Sequence, residues 1–190
     1  MRKSILWWIH RYRGVLICPP MIFAIFCFSH ETESDWLIWP IGGSLLFLGF
    51  AIRVWAQQHI RRRLKGPRYL VTTGPYSFVR NPLYIGNTLI LLGATVVSEL
   101  MWFAPVTLLW CGVVYSLVVR YEEAYLSDRY GQSYRSYMLK VPRWFPLNLR
   151  LKNIGLINRY FRVSIVAEAH CLLMLLPYVF KEIISPWFEH

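Results

Sequence analysis

The chain has 190 residues, of which 56% are hydrophobic and 16% charged, and its mean hydropathy is +0.36. Soluble domains carry about a quarter charged residues, so this composition indicates a membrane protein, and the length fits a single membrane domain over residues 1–190. A net charge of +11 in a soluble chain would suggest nucleic-acid binding, but these basic residues lie in blocks between apolar segments. We therefore interpret the charge as a topology signal, expect no nucleic-acid partner, and expect the chain to lie in a bilayer.

Five apolar segments predict an all-α, polytopic transmembrane helix bundle. A crossing needs about 20 apolar residues, and residues 100–119 provide such a run without a charge. Ser98 and Glu99 predict a tight turn that pairs the third and fourth spans into a hairpin, and Pro19 and Pro20 predict a kink in the first. The five predicted spans are residues 14–28, 36–54, 83–97, 100–119 and 163–180.

The distribution of basic residues predicts the orientation of the bundle. Residues 1–13, 57–81 and 120–162 contain 19 of the 21 lysines and arginines. The positive-inside rule therefore predicts a cytoplasmic N-terminus and an external C-terminus, and we expect a bacterial-type inner membrane. Arg53 lies outside these basic segments, near the end of the second span, where we expect its side chain to snorkel to the interface.

Residues 74–86 read GPYSFVRNPLYIG and join the second span to the third. Gly74 and Pro75 predict a turn, while Pro82 suits the first turn of the third span, with Asn81 as its N-cap. Such a helix start directs backbone N–H groups and the positive end of the helix dipole toward the cytoplasm, where a carboxylate can bind. The alternative interpretation is a well-capped helix beside a basic anchor.

Two carboxylates, Glu122 and Glu123, follow the fourth span directly. Acidic groups near membrane depth are functional candidates, although a salt bridge with an arginine also explains them. Residues 123–141 then predict a cytoplasmic amphipathic helix over the site, which Gly131 weakens only slightly. An aromatic stripe of this kind more often serves ordinary packing than cofactor binding. The stripe follows helical spacing and consists of Glu123, Leu126, Tyr130, Tyr134, Tyr137 and Val141.

Three further polar residues are ambiguous. Glu168 and His170 lie within the fifth span, either as a proton relay or as a buried polar pair. His59 precedes three arginines, which favours a topological role and contact with anionic lipid. None of the four cysteines forms a C-x-x-C pair, so we expect no metal site.

The two cytoplasmic motifs together resemble those of the isoprenylcysteine carboxyl methyltransferases and phospholipid N-methyltransferases. The resemblance covers residues 74–146 and departs at Asn81, where the carboxyl methyltransferases usually have histidine and the N-methyltransferases often have asparagine. The V-P-x-x-x-P ending is closer to the carboxyl methyltransferases. The matching positions are Gly74, Pro75, Tyr76, Arg80, Asn81, Pro82, Tyr84 and Gly86 in the first motif, and Glu122, Glu123, Leu126, Tyr130, Gly131, Tyr134, Tyr137, Val141 and Pro142 in the second.

This resemblance implies S-adenosylmethionine (SAM) as the cofactor, bound at the cytoplasmic ends of the helices by residues 74–146. Glu122 or Glu123 is a candidate for binding the amine or the ribose hydroxyls, and a guanidinium for binding the tail carboxylate. The candidate catalytic residues are Glu122, Glu123, Arg80 and Arg143. The candidate cofactor-binding residues are Tyr76, Arg80, Asn81, Pro82, Tyr84, Gly86, Glu122, Glu123, Tyr134 and Tyr137.

The predicted function is methyl transfer to a membrane lipid or a lipidated substrate that enters sideways between the helices. The acceptor atom stays open, because a carboxylate gives an ester and an amine gives a methylated amine. An amine must also lose a proton, for which Glu122, Glu123 and His170 are candidates. Two alternatives are an NADPH-dependent enzyme resembling the sterol reductases and a non-catalytic lipid-binding or scaffold protein.

Overall fold

The computed structural model describes residues 5–26, 35–64, 69–146 and 155–173, and all regular structure within these ranges is helical. Short 3₁₀ turns at Gly74–Ser77 and Met101–Phe103 precede two of the longer helices. The helices are α1 (Ile5–Arg11), α2 (Arg13–Leu16), α3 (Cys18–Phe26), α4 (Asp35–Leu64), α5 (Pro82–Val97), α6 (Ala104–Tyr130), α7 (Gln132–Lys140) and α8 (Phe161–Leu173).

Two stretches are long and apolar enough to cross a membrane, Trp36–Ile60 with 25 residues and Met101–Tyr130 with 30. They correspond to the second and fourth predicted spans, and they expose many large apolar side chains, as lipid-facing helices do. The third predicted span is the 16-residue helix α5, which is apolar but short. The fifth is described only as far as Leu173, so residues 174–180 lie outside the described part. Five crossings and their orientation remain predictions.

The first predicted span is divided rather than continuous. It is interrupted at Ile17, directly before α3, and a second break at Tyr12 precedes it and separates α1 from α2. Pro19 and Pro20 occupy the second and third positions of α3, where their missing N–H groups cost little, whereas a continuous helix would place their rings against the preceding turn. The short helix α1 that results packs against α6.

Glycines on α4 and α5 face each other in pairs and set the separation of these antiparallel helices. A Cβ on Gly49 would lie 2.7 Å from the carbonyl oxygen of Gly86, and one on Gly93 would lie 2.9 Å from that of Gly42. Both glycines of each helix are seven residues apart, so the two contacts lie on one face. Small residues permit such close backbone approach in membrane helices. This contact holds the N-terminal end of α5 beside the C-terminal half of α4.

The amphipathic helix predicted over residues 123–141 is not a separate element. Helix α6 continues unbroken to Tyr130, and Gly131 then adopts a φ of +52° before α7 begins. Glycine reaches positive φ without the Cβ clash of other residues, so it ends the helix instead of merely weakening it. Glu122 and Glu123 therefore stand on a long, rigid helix. The break turns α7 so that Tyr134 and Tyr137 are buried together with Val141.

His59 is buried, which corrects its predicted role in lipid contact. Its Nδ1 lies 3.0 Å from the Thr73 hydroxyl and its Nε2 lies 3.0 Å from the carbonyl oxygen of Gly155. A neutral ring satisfies both contacts if Nε2 donates to the carbonyl and Nδ1 accepts from the hydroxyl. Gly74 has a φ of +63° and packs against the same ring. The histidine thus joins α4 to the segment before α5 and to the segment before α8.

The Thr73→Val variant should lower the stability of the protein by about 1 kcal/mol, because it removes one hydrogen bond from a buried histidine at nearly constant volume. Thermal unfolding in detergent measures the effect. Thr72→Val is the matched control, since Thr72 is exposed, and it should change stability by less than about 0.5 kcal/mol. Equal effects of the two substitutions would contradict the assigned contact.

Candidate active site

A cavity of about 600 Å³ lies between α1, α4, α5, α6 and α7. Its size is within the range of about 300–1,000 Å³ that is usual for small-molecule sites. Nine of the residues predicted from the sequence line it, so the two motifs converge on one space. They are Tyr76, Arg80, Asn81, Pro82, Tyr84, Glu122, Glu123, Tyr134 and Tyr137.

Two arginines enclose the carboxylate of Glu123. Arg80 Nη1 lies 3.0 Å from Oε1, Arg143 Nε donates to Oε1 at 3.0 Å, and Arg143 Nη2 donates to Oε2. Glu123 and Arg80 are each only 12% exposed, whereas Arg143 is 35% exposed. The hydrogen bond to this carboxylate raises the pKa of Arg143, so the guanidinium remains charged. A carboxylate shielded from water and bound by two guanidiniums is fixed in position.

The backbone around Arg143 is attached to the first motif. The N–H of Arg80 donates to the carbonyl of Pro142 at 2.9 Å, and the side-chain amide of Asn81 donates to the carbonyl of Arg143 at 3.2 Å. Asn81 does occupy the N-cap position of α5, but its side chain makes no capping hydrogen bond there. The Asn81 side chain therefore serves as a tether between the two motifs and not as the predicted cap.

The tyrosines of α7 close one side of the cavity. The Tyr137 hydroxyl donates to the carbonyl of Tyr76 at 2.6 Å, which fixes α7 against the turn before α5. Burial raises the pKa of Tyr134 to about 12, and the nearby Glu123 carboxylate contributes to this increase. Burial also raises the pKa of Tyr137. Both phenols therefore keep their protons at neutral pH and can act as hydrogen-bond donors.

Glu122 has a different set of neighbours and is 30% exposed. The Tyr84 hydroxyl donates to its Oε1 at 2.7 Å, and His10 Nε2 lies 3.1 Å from the same oxygen. Arg13 Nη1 is 3.9 Å from it. His10 and Arg13 also line the cavity but were not predicted as site residues. Nothing in their local sequence distinguishes them from the basic anchor of a first span, because only the folded packing of α1 on α6 brings them to the site.

Arg53 also lines the cavity, which corrects its predicted position at the interface. Its side chain is 14% exposed, and its Nε donates to Glu168 Oε2 at 2.7 Å. Its Nη2 donates to the same oxygen and its Nη1 to Asn87 Oδ1. Glu168 is thus paired with an arginine on α4, and the side chain of His170, its predicted neighbour, lies outside the described residues.

Two predicted site residues are not among those that line the cavity, Gly86 and Arg143. Gly86 packs against Gly49 and Arg53 of α4, so its lack of a side chain serves helix packing. Arg143 acts on the site through Glu123. Among the described residues, no group of three or more His, Cys, Asp or Glu side chains is placed to hold a metal ion.

The fold and the cavity define a class of helical membrane proteins with a ligand-sized site, lined by charged and aromatic residues, at the ends of their helices. Within that class the chain belongs to the phospholipid methyltransferase family, whose model matches residues 38–133, about half of the chain. The match includes nearly all of α4 and the whole of α5 and α6, and therefore Glu122 and Glu123. No solved structure matches the chain significantly.

Three curated proteins are similar to parts of the chain. The cobalt-zinc-cadmium resistance protein CzcN of Cupriavidus metallidurans is 28% identical over 72% of this chain and 64% of its own length. The nickel-cobalt-cadmium resistance protein NccN of Alcaligenes xylosoxydans xylosoxydans is 33% identical over 69% of this chain and 62% of its own length. The protein-S-isoprenylcysteine O-methyltransferase of Schizosaccharomyces pombe is 40% identical over 41% of this chain and 33% of its own length. The chain thus spans less than two thirds of each of these relatives.

Proposed function

We propose that the chain is a SAM-dependent membrane methyltransferase that acts on a lipidic acceptor, with its site at the cytoplasmic ends of the helices in a cell inner membrane. The observation that carries the proposal is the pair of carboxylates on α6, Glu122 and Glu123, which line one cavity with Arg80 and the tyrosines of α7. Family membership and the similarity to an isoprenylcysteine O-methyltransferase support the same chemistry.

The lining residues fit SAM group by group. The buried Nε of Arg80 has no acceptor among the described residues, and a guanidinium N–H is a suitable donor to the tail carboxylate. Glu122 is accessible enough to accept hydrogen bonds from an ammonium group or from ribose hydroxyls. Tyr134 and Tyr137 offer aromatic faces beside these charges. SAM would supply a methyl group on a sulfonium sulfur.

The chain's own residues align the reactants and exclude water. Two ion pairs hold Glu123, and the tyrosines of α7 cover the cavity, so a bound donor and acceptor would meet in a fixed arrangement. Such alignment can supply roughly 7–11 kcal/mol of the barrier. A carboxylate acceptor needs only a cation to position it. An amine acceptor needs a base, and Glu122 is the less shielded of the two carboxylates.

The alternatives have less support. The sterol reductases that resemble this family carry Asn before the motif tyrosine and Asp after the motif glycine, where this chain has Leu83 and Asn87. A scaffold that only binds lipid does not require a buried carboxylate that is bound by two arginines beside a cavity. The family match also favours methyl transfer over both.

Incubation of the purified protein with methyl-tritiated SAM and a membrane lipid extract tests the proposal. We expect label to enter the lipid fraction, and alkali then distinguishes the products. A methyl ester releases its label as volatile methanol, whereas an N-methyl group remains in the lipid. Labelled lipid that depends on the intact protein supports methyl transfer. Folded protein that labels no lipid from a membrane of its own host would contradict it.

The Tyr84→Phe variant should reduce methyl transfer about tenfold, because it removes a hydrogen bond to a charged carboxylate worth about 1.5 kcal/mol at a partly exposed site. Initial rates at saturating acceptor measure the effect. Tyr69→Phe, at an exposed position that does not line the cavity, is the control and should keep the full rate. A Tyr84→Phe rate equal to the control would show that this contact does not support catalysis.

A further inference from the structure

Arg53 places a charged group in the cavity beside the residues of the two motifs. Arg53 stands within the apolar stretch Trp36–Ile60, yet its guanidinium reaches the cavity. Asn87, its partner on α5, lies five residues beyond Pro82, which is about 7.5 Å further along the helix axis. The guanidinium therefore sits deeper in the helix bundle than Arg80 and Asn81.

The guanidinium of Arg53 is held by Glu168 on α8 and by Asn87 on α5. Glu168 is 3% exposed and does not line the cavity, but it accepts hydrogen bonds from Nε and Nη2. A guanidinium has five N–H donors in a planar fork, and Glu168 and Asn87 together accept three of them. This arrangement fixes the plane of the guanidinium, as is needed to bind a planar or tetrahedral anion through two hydrogen bonds.

A purely structural role is a weaker explanation for this pair. Burying an arginine and a carboxylate costs free energy, and apolar residues of similar volume often stabilise a core as well or better. Charged groups inside membrane helices usually mark substrate or ion sites. A tether between α4 and α8 would not require the arginine to line the cavity.

We propose that Arg53, positioned by Glu168 and Asn87, forms an anion subsite that binds the negatively charged group of the lipidic methyl acceptor, a carboxylate or a phosphate. The subsite rests on the proposed function, which it narrows to acceptors that carry an anionic group. A carboxylate held there is itself the acceptor. A phosphate held there anchors a headgroup whose amine is methylated.

The carboxylate case needs no base. A carboxylate oxygen forms the new carbon–oxygen bond, the sulfonium sulfur keeps the electron pair of the broken carbon–sulfur bond, and the products are a neutral ester and a thioether. In the phosphate case the amine is first deprotonated, and Glu122 is the candidate to accept that proton. Arg53 has the same task in both cases, which is to place the acceptor.

Binding of simple amphiphiles to the detergent-purified protein tests the subsite, with laurate, dodecyl phosphate and dodecanol as probes and S-adenosylhomocysteine present or absent. We expect at least one of the two anions to bind, dodecanol to bind at least tenfold more weakly, and Arg53→Met to weaken anion binding at least tenfold. Arg53→Lys should keep part of the affinity. Tighter binding of laurate would identify a carboxylate subsite, and tighter binding of dodecyl phosphate a phosphate subsite. Equal binding of dodecanol, or unchanged anion binding by Arg53→Met, would overturn the proposal.

A second variant separates positioning from simple stabilisation. Arg53→Met combined with Glu168→Leu replaces the ion pair by apolar groups and should restore the thermal stability that Arg53→Met loses, without restoring anion binding. Recovery of anion binding in the double variant would show that the pair is only a tether.

Glu168→Gln should raise the KM for the acceptor more than it lowers kcat, because it loosens the arginine without removing it. A shift in kcat alone would contradict the positioning role.

The subsite and the proposed function can fail separately. Wild-type protein that binds S-adenosylhomocysteine but neither anion would overturn the subsite and leave methyl transfer standing. Wild-type protein that binds an anion through Arg53 but not S-adenosylhomocysteine would overturn the proposed function instead.

Discussion

The Glu123→Gln variant should lose methyl transfer by at least about 100-fold, equivalent to about 2.7 kcal/mol of transition-state free energy. The substitution keeps the shape of the side chain but removes the charge that binds Arg80 and Arg143. Removing one partner of a buried ion pair costs about 3–5 kcal/mol, and the partial exposure of Arg143 places this case toward the lower end. The two freed guanidiniums would then disturb the donor site. Methyl transfer and thermal unfolding should be measured on the same preparation.

Asp128→Asn is the matched control for this prediction. Asp128 is an exposed carboxylate on the same helix and does not line the cavity, so its neutralisation should leave the rate within about twofold of the unmodified protein. If Glu123→Gln remains folded and retains the control's rate, Glu123 has no part in the site. Loss of activity together with loss of folding would assign Glu123 a structural role, and the more accessible Glu122 would then be tested in the same way.

The Gly49→Ala variant should destabilise the helix bundle by about 1–3 kcal/mol, as overpacking of a tight contact does. Its new Cβ would lie 2.7 Å from the carbonyl oxygen of Gly86 and 3.0 Å from the backbone nitrogen of Ile90. Because both atoms belong to the backbone of α5, the helices themselves must separate. Their separation would also displace Arg53 and Asn87, so acceptor affinity should fall with stability. Thermal unfolding in detergent, with and without ligand, measures both effects.

Gly43→Ala provides the control on the same helix. Nothing lies within 4 Å of the position that its Cβ would occupy, so it should be neutral or should stabilise the helix by up to about 1 kcal/mol. The two alanine substitutions are chemically identical and six residues apart, and only the contact with α5 distinguishes them. Similar unfolding temperatures for both would contradict the close packing of α4 on α5.

The convergence of the two motifs could be predicted from the sequence, because each motif contains residues that mark the end of a helix. Pro82 and Asn81 mark the start of α5, and the paired glutamates mark the end of an apolar helix, so each motif could be placed at the same membrane interface. In the structure, residues of both motifs line one cavity. The all-helical fold follows equally directly from the long apolar runs.

The parts that sequence reasoning missed depend on tertiary contacts. Arg53 resembles any interfacial arginine until α8 brings Glu168 beside it, and His10 resembles a topological anchor until α1 packs on α6. The break at Gly131 depends on the positive φ of this residue, which a helical periodicity cannot reveal. One missed signal was readable, namely the seven-residue spacing of Gly42 with Gly49 and of Gly86 with Gly93.

The most direct test of the central claim is calorimetric titration of the purified protein with S-adenosylhomocysteine, the demethylated product of SAM. We expect saturable binding by the unmodified protein and by Asp128→Asn, and loss of binding in Glu123→Gln at a temperature where all three proteins are folded. That pattern would establish both the cofactor class and the position of its pocket. Absence of binding by folded, unmodified protein would contradict the assignment of this cavity as a SAM site.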